Sequence, residues 1–369
     1  AFGDDTVFLE KFIERPRHIE VQIVADNHQN VMHLYERDCS VQRRFQKVVE
    51  VAPSLNLKDE TREKLYHYAV SIAKAVNYNN VGTVEFLVDS DERIYFIEVN
   101  PRIQVEHTVT EMITGIDLIK TQIYIADGYK LSSPEIGLPD QAHVMKNGFA
   151  MQCRITTEDP SNGFKPDYGT LITYRNATGF GVRLDEGSTY PGMKISPFFD
   201  SMLVKVSTQG ATLIDAARKM NRALREFRIR GVKTNILFLE NVLNHNEFES
   251  GQITVRFIEK YPALFQFEVR QDRGTKILRY MADVMVNGNP DVSKIDHSKI
   301  FHTAKVPEFN RNEKIIPGTK QMLDDLGPQK FAKWLKDQKQ VMFTDTTLRD
   351  AHQSLLATRV RTQDMLKVA

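Results

Sequence analysis

Cysteine is scarce in this sequence, and long apolar runs are absent. Two cysteines, Cys39 and Cys153, occur among 369 residues, which excludes a disulfide scaffold and a cysteine-based zinc site. No stretch approaches the roughly 18 apolar residues that a membrane-spanning helix needs. We therefore expect a globular protein of a reducing compartment.

An excess of charge of one sign is absent too. The net charge is +1, with 26% charged and 41% hydrophobic residues, so the composition indicates neither a nucleic-acid nor a membrane partner. No internal repeat, signal peptide or initiator methionine occurs. The chain is long enough for two or three domains, and because both ends fall inside structured-looking sequence we expect a part of a longer polypeptide.

The stretch 97–107 alternates apolar and polar residues. Its even positions from 98 to 106 carry Glu98, Asn100, Arg102, Gln104 and Glu106. In an extended chain, period two places all five on one face. Such a face offers ligands for a metal, an anion and a proton transfer, although an ordinary half-exposed strand shows the same alternation.

Two strands joined by a short polar loop are predicted at 82–88 and 94–100. Glu85 lies between apolar residues of the first strand, where a lone carboxylate is costly to bury. Together with Glu98 and Asn100 it forms an all-oxygen site that suits Mg²⁺ or Mn²⁺. The alternative is a salt bridge from Glu85 to Arg102 or Lys47 instead of a metal.

Periodicity also predicts the remaining elements. Strands are expected at 6–13, 17–24, 31–35 and 341–350, and helices at 58–76, 110–127, 212–227 and 234–244. The cation-dense run 36–47 indicates an enclosed anion site, because Arg and Lys beside buried strands need counter-charges; a solvated face is the alternative. Arg183 alternates with apolar neighbours, as surface arginines commonly do.

These motifs resemble those of a known family. Residues 36–47, 82–87 and 97–115 are similar to the biotin carboxylase signature of the biotin-dependent carboxylases, within the ATP-grasp superfamily. The similarity continues through 180–183 and 201–267, and residues 344–359 resemble the opening of a carboxyltransferase TIM barrel. That order of segments is typical of the pyruvate carboxylases.

The resemblance implies an α/β (α+β) fold in four parts. These are the C-terminal part of an ATP-grasp domain (1–128), a biotin carboxylase C-terminal domain (129–267), a connecting allosteric and tetramerisation segment (268–340) and a truncated first strand of a TIM barrel (341–369). It further implies a homotetramer of the cytoplasm or the mitochondrial matrix that binds neither nucleic acid nor membrane.

The implied reaction is an ATP- and bicarbonate-dependent carboxylation of biotin, followed by transfer from a biotin carrier domain to pyruvate, giving oxaloacetate. Glu85, Glu98 and Asn100 would hold Mg²⁺ or Mn²⁺ between ATP phosphates. Bicarbonate would lie against four groups, those of Lys47, Arg102, Gln104 and the Val105 backbone. Glu106 would be the general base, and Arg183 would stabilise the biotin enolate.

Further residues match family positions less directly. Those that would line the adenosine part of the ATP site are Glu10, Lys11, Ile13, His18, Gln42 and Leu87. In the barrel tail, Asp350 would bind a second divalent metal, and Arg349 and Gln353 would contact pyruvate. Arg273 is a candidate contact for acetyl-CoA as an activator, and Cys39 is interpreted as a core thiol.

Two departures from the family pattern bear on function. No glycine-rich phosphate loop precedes Glu10, so we expect the chain by itself to bind ATP poorly, and Phe45 stands where many relatives carry a polar residue. A biotin carboxylase of an acyl-CoA carboxylase is a second hypothesis, although the barrel-like tail argues against it. An inactive regulatory or assembly fragment is a third.

Overall fold

The computed structural model describes residues 9, 11–187, 189–196, 200–267, 273–288 and 317–349. The strands are β1 (Arg17–Ala25), β2 (Val31–Arg43), β3 (Gln46–Ala52), β4 (Asn80–Val88), β5 (Ile94–Asn100), β6 (Phe149–Thr156), β7 (Glu158–Asp159), β8 (Lys165–Pro166), β9 (Gly169–Thr170), β10 (Thr173–Arg175), β11 (Val182–Glu186), β12 (Lys194–Ile195), β13 (Met202–Gly210) and β14 (Arg228–Arg230). The helices are α1 (Asp59–Ala75), α2 (His107–Thr114), α3 (Leu118–Ala126), α4 (Leu213–Glu226), α5 (Ile236–Leu243), α6 (Asn246–Glu249), α7 (Phe257–Lys260), α8 (Arg273–Asn287) and α9 (Thr319–Lys336).

A single antiparallel sheet of eight strands organises the fold, in the order β11-β13-β6-β3-β2-β1-β4-β5. Residues directly opposite each other on neighbouring strands share a face, so the register determines which side chains meet. The mixed α/β character expected from the sequence is confirmed. The sheet runs across the expected boundary at residues 128 and 129, because β6, β11 and β13 extend the sheet that β1 to β5 begin.

The two faces of the sheet differ in character. On one face, the alternate β1 residues Ile19, Val21 and Ile23 pack against Leu65 and other apolar residues of α1. The same face of β6 and β13 packs against α4 and α5 in the largest apolar cluster. On the opposite face lies α2, over a small apolar cluster that includes Val109. Of the β1 residues that point to this second face, His18, Glu20 and Gln22 are polar, and Val24 packs in a further apolar cluster with Leu118 and Ile125 of α3.

Between residues 97 and 127, two elements of the structure differ from those predicted. The alternating stretch is extended only to Asn100, and the chain then turns before α2 begins at His107. The helix expected over 110–127 is two helices, because Gly115 ends α2 with a φ of 71°, a left-handed conformation that glycine adopts without steric cost. Because the chain turns after Asn100, Gln104 and Glu106 are carried back over the sheet and buried.

The predicted barrel strand at 341–350 is not a strand within the described residues. Residues 341–346 have no regular structure, and Phe343 is 77% exposed. A buried strand needs a partner strand to satisfy its backbone groups. The described part of the strand predicted at 6–13 is likewise irregular, with Leu9 fully exposed. Gly327, with a φ of 73°, separates two helical segments within α9. Among the described residues, no helix is both long and apolar enough to cross a bilayer.

Candidate active site

A continuous row of polar side chains crosses the α2 side of the sheet. From one edge to the other, the row comprises Arg183 and Asp185 (β11), Ser207 and Lys205 (β13), Gln152 and Arg154 (β6), Glu50 and Lys47 (β3), Arg37 (β2), Glu20 and Gln22 (β1), Thr83 and Glu85 (β4), and Glu98 and Asn100 (β5). Most of these groups are buried. A buried row of charges must be internally paired, and the pairing defines the site.

Glu85 is the centre of the predicted metal site, and the structure brings its partners together. Glu85 pairs directly with Glu98 across β4 and β5. The Asn100 amide donates to Glu85 Oε1 at 3.0 Å and to Glu98 Oε1 at 2.9 Å. His18 Nε2 lies 2.6 Å from Glu85 Oε2. Two carboxylates and an amide thus converge from neighbouring strands, as the sequence predicts.

Lys47 joins three buried carboxylates. Its Nζ donates to Glu20 Oε2 at 2.5 Å, to Glu106 Oε1 at 2.6 Å and to Glu85 Oε1 at 3.1 Å. Burial opposes the charge on Lys47, but the nearby acids, Glu20 foremost, raise its pKa above the ordinary value. The ammonium therefore stays charged and holds the predicted base next to the predicted metal ligand.

Glu106 is 2% exposed and bridges two cations. In addition to Lys47, Arg154 Nη2 lies 3.2 Å from Glu106 Oε2. Burial and the neighbouring Glu20 carboxylate raise the pKa of Glu106, but Lys47 and Arg154 outweigh them and the net shift is downward. Glu106 is consequently ionised at neutral pH, which a general base requires.

Arg154 was not among the residues that the sequence indicated. Its guanidinium also donates to Glu50 Oε1 at 2.7 Å, and Gln152 donates to the other oxygen of Glu50 at 3.0 Å. Burial raises the pKa of Glu50. The signal available in the sequence was Gln152 and Arg154 alternating with apolar residues in the β6 segment 149–156.

Arg37 was missed as well. It is fully buried, and its five N–H groups reach acceptors on β1, β4, α2 and the 101–106 turn. The acceptors, with their distances, are Glu20 Oε1 (2.5 Å), Gln22 Oε1 (2.6 Å), Thr110 Oγ1 (3.0 Å), Gln104 Oε1 (3.0 Å) and Thr83 Oγ1 (3.2 Å). Gln104, a predicted bicarbonate ligand, in turn donates to Glu85 at 2.7 Å.

Two predicted site cations lie apart from this cluster. Arg183 donates to Glu111 Oε2 at 2.5 Å and forms two 3.0 Å bonds with Asp185. It lines a cavity of about 470 Å³ beside α2 and α3. Arg102 donates to the Ile103 carbonyl at 3.1 Å, and among the described residues it makes no hydrogen bond to Glu85, Glu98 or Glu106. Lys205 donates to the Val105 carbonyl at 3.1 Å, which anchors the turn from β13.

The residues expected around adenosine fall into two groups. Gln42 Nε2 lies 2.7 Å from His18 Nδ1, and Leu87 is opposite His18 in the β1–β4 register. These three lie together at the Glu85 end of the row. Lys11 lies apart, 5.3 Å over the Tyr95 ring, and Ile13 is half-buried. Glu10, Asp350 and Gln353 fall outside the described residues, as do the side chain of Arg273 and its contacts. Arg349 is described and exposed.

Acidification is expected to destabilise the fold through Glu85. Burial raises the pKa of Glu85, but hydrogen bonds from His18 and the charge of Lys47 lower it from an ordinary 4.5 to about 2. Because the folded-state pKa is depressed, the stabilisation is fully present above pH 4.5 and is lost as the pH falls toward 2. We expect Glu85 to account for a loss on the order of 3 kcal/mol in unfolding free energy over that range.

Denaturant unfolding measured from pH 6 to pH 2, a window set by that linkage, tests this expectation. Glu85→Gln should flatten the acid slope, whereas Glu63→Gln, at an exposed position of α1, should leave it unchanged. Equal slopes for Glu85→Gln and the parent chain would contradict the assignment.

Comparisons with known proteins can be set against this geometry. Residues 1–134 match the family described as "Carbamoyl-phosphate synthase L chain, ATP binding domain", and residues 152–260 match "Biotin carboxylase C-terminal domain". The whole chain is 53% identical to a pyruvate carboxylase of Bacillus subtilis and 49% identical to the mitochondrial pyruvate carboxylase of Mus musculus. The chain belongs to the pyruvate carboxylase family.

Solved structures of similar proteins agree with this assignment. A Rhizobium etli pyruvate carboxylase with the allosteric activator acetyl coenzyme-A matches 98% of the chain at 51% identity, with a TM-score of 0.71. The biotin carboxylase domain of Hydrogenobacter thermophilus 2-oxoglutarate carboxylase, in complex with MgADP and bicarbonate, matches 70% at 44% identity and a TM-score of 0.67. The chain spans 32% of the Bacillus relative, 36% of the Rhizobium chain and 56% of the Hydrogenobacter chain.

Proposed function

We propose that this chain supplies part of a biotin carboxylase active site to a pyruvate carboxylase. The enzyme would use ATP and bicarbonate to carboxylate biotin, through carboxyphosphate, and would transfer the carboxyl group to pyruvate. The observation that carries the proposal is the largely buried Lys47, which bridges Glu106 and Glu85. An anion-binding cation, a carboxylate base and a metal ligand are thereby in direct contact.

The residues at the Glu85 end fit a divalent cation. Glu85 remains ionised because its pKa is about 2, and Glu98 and Asn100 contact it or each other within 3.0 Å. Hard oxygen donors of this kind suit Mg²⁺ or Mn²⁺. When bound there, the metal would neutralise charge on the ATP phosphates; the chain's residues hold and orient it.

Lys47 and Glu106 would act as a pair on bicarbonate. Bicarbonate would bind Lys47 and Gln104, with Arg102 and the Val105 backbone completing the site. An anion that draws Lys47 toward itself weakens the Lys47–Glu106 contact, which at present measures 2.6 Å. Loss of that contact raises the basicity of Glu106. The base would thus be strengthened by arrival of the group from which it removes a proton.

Arg154 is better placed than Arg183 to stabilise a biotin enolate beside this base. Each arginine is held by two acids, Arg154 by Glu50 and Glu106 and Arg183 by Glu111 and Asp185. The difference is that Arg154 contacts the proposed base directly, at 3.2 Å. An oxyanion stabiliser must point to the reacting atoms. We therefore assign that role to Arg154 and regard Arg183 as part of the wall beside α2.

A pair of substitutions tests this assignment. In a polypeptide in which this sequence is extended to the length of its relatives, Arg154→Met should lower biotin carboxylation by about 10²–10³-fold, the usual loss on removing an oxyanion donor. Arg183→Met should have a much smaller effect. The measurement is bicarbonate-dependent ATP cleavage with free biotin. A larger loss for Arg183→Met would return the role to Arg183.

The same assay tests the proposed function as a whole. The extended wild-type polypeptide should cleave ATP only when bicarbonate and Mg²⁺ are present, and the chain by itself should be much slower. An inactive extended polypeptide at saturating Mg²⁺ and bicarbonate would contradict the enzyme hypothesis and favour the regulatory fragment.

The share of the chain that the relatives match favours a pyruvate carboxylase over the biotin carboxylase of an acyl-CoA carboxylase. The pyruvate carboxylases match 97–100% of the chain, including the segment after residue 267. We extend to this chain, on resemblance alone, the four-part division, activation by acetyl-CoA with Arg273 as a contact, the tetramer and the carrier-domain partner. The barrel metal at Asp350 and a pyruvate site at Arg349 and Gln353 have the same basis.

A further inference from the structure

Arg37 occupies a position that the proposed reaction does not itself use. It lies fully buried between β1, β4 and α2, and the groups proposed to touch substrate lie around it. All five of its N–H groups have acceptors, so its orientation is fixed from five directions. A guanidinium is the one side chain with five donors in a rigid plane.

Gln104 is the acceptor that connects Arg37 to the proposed bicarbonate site. Arg37 Nη2 donates to Gln104 Oε1 at 3.0 Å, so the oxygen end of the amide is fixed toward Arg37. The nitrogen end therefore faces Glu85 and donates to its Oε1 at 2.7 Å. Among the described residues only Glu85 accepts from this nitrogen. The second hydrogen of the amide would therefore be available to an anion bound beside Lys47.

Reversal of the Gln104 amide would invert this arrangement. The oxygen would then face the ionised Glu85 and any anion bound next to it, and both contacts would be repulsive. A guanidinium that accepts no hydrogen bond cannot tolerate the nitrogen end of the amide in its place. The contact with Arg37 thus selects one of the two amide orientations.

We infer that Arg37 is a positioning residue that holds the Gln104 amide with its N–H groups directed to the bicarbonate site. The inference rests on the proposed function and deepens it. Arg37 acts through Gln104 and contacts no substrate, so its effect belongs to anion binding rather than to the chemical step. Substitution should therefore raise KM for bicarbonate more than it lowers kcat.

A double-mutant cycle tests this coupling. In the extended polypeptide, Arg37→Lys keeps the positive charge but loses the planar guanidinium with its five donors. We therefore expect about a tenfold rise in KM for bicarbonate, equivalent to about 1.4 kcal/mol. Gln104→Met should raise KM by a similar factor. The effects of the two substitutions should be less than multiplicative in the double variant, because the part of the Arg37 effect that passes through Gln104 is already lost in Gln104→Met. Arg37 also contacts Glu20, which holds Lys47, so a small residual effect of Arg37→Lys is expected in the Gln104→Met background.

A milder variant covers the case in which Arg37→Lys fails to fold. Thr110→Val removes one acceptor of Arg37, and its matched control is Thr121→Val, a buried helical threonine that bonds to the Asp117 carbonyl. We expect a rise in KM for Thr110→Val and none for Thr121→Val, and the rise for Thr110→Val should be smaller in the Gln104→Met background.

Three outcomes would overturn the inference while wild-type activity persists. They are multiplicative effects in the double variant, an unchanged KM in Arg37→Lys or in Thr110→Val, and an unchanged KM in Gln104→Met. Absence of bicarbonate-dependent ATP cleavage in the wild type would instead remove the proposed function, so the two failures are distinguishable.

Discussion

Replacing Glu106 by glutamine in the extended polypeptide should lower bicarbonate-dependent ATP cleavage by about 10²–10⁴-fold, the usual contribution of a general base. Glutamine keeps the shape of the side chain and an oxygen that accepts from Lys47, but it cannot take a proton. The measurement is kcat at saturating ATP, Mg²⁺ and bicarbonate. The acidic limb of the pH–rate profile should disappear together with the rate, because the group that titrates there is gone.

Two controls separate chemistry from folding in the Glu106 experiment. Glu106→Asp keeps the carboxylate at a shorter reach and should retain more activity than Glu106→Gln. Affinity for MgADP should be unchanged in both variants, since Glu106 lies at the Lys47 and Arg154 side of the cluster. A wild-type kcat in Glu106→Gln would exclude Glu106 as the base.

The grouping of Glu85, Glu98 and Asn100, which we propose as a metal site, was predictable from local pattern because these residues lie close in the chain. Glu85, Glu98 and Asn100 belong to one hairpin, and the period-two alternation of each strand places them on one face. The same reasoning applied to β1 would have found Glu20, which is flanked by apolar residues just as Glu85 is. The cost of burying a carboxylate therefore pointed to both Glu20 and Glu85, but only Glu85 was predicted as a site residue.

Contacts between distant segments could not be predicted in this way. Glu50 and Arg154 are 104 residues apart, and their contact depends on the pairing of β3 with β6. Alternation predicts which side of a strand is polar, but it does not predict which strands are neighbours or where bulges shift the register. Arg183 and Arg154 alternate with apolar residues equally well, and only the sheet order separates them.

The end of the alternating stretch shows a second limit of sequence patterns. Arg102, Gln104 and Glu106 keep period two, yet the chain turns after Asn100. Pro101 opens this turn; a proline ring fixes φ and removes a backbone donor, which weakens any continuation of a strand. Because of the turn, Gln104 and Glu106 reach Arg37 and Lys47, which a straight strand at the sheet edge would not allow.

Lys47→Met should cost about 3–5 kcal/mol of unfolding free energy at pH 7, the usual effect of removing one partner from a buried ion pair. The Lys47 side chain is 13% exposed and neutralises Glu20, Glu85 and Glu106. Methionine preserves the length of the apolar stem but leaves these carboxylates with fewer cations. Their folded-state pKa values should consequently rise.

The pH dependence distinguishes this electrostatic loss from a packing defect. In the wild type, Glu20, Glu85 and Glu106 all have lowered pKa values, so they stabilise the fold above pH 4.5 and lose that effect as the pH falls. Lys47→Met removes the cause of the lowering. The difference between variant and wild type should therefore shrink from pH 7 toward pH 4, whereas a cavity would cost the same at both. Lys64→Met, at an exposed position of α1, is the control and should follow the wild type throughout.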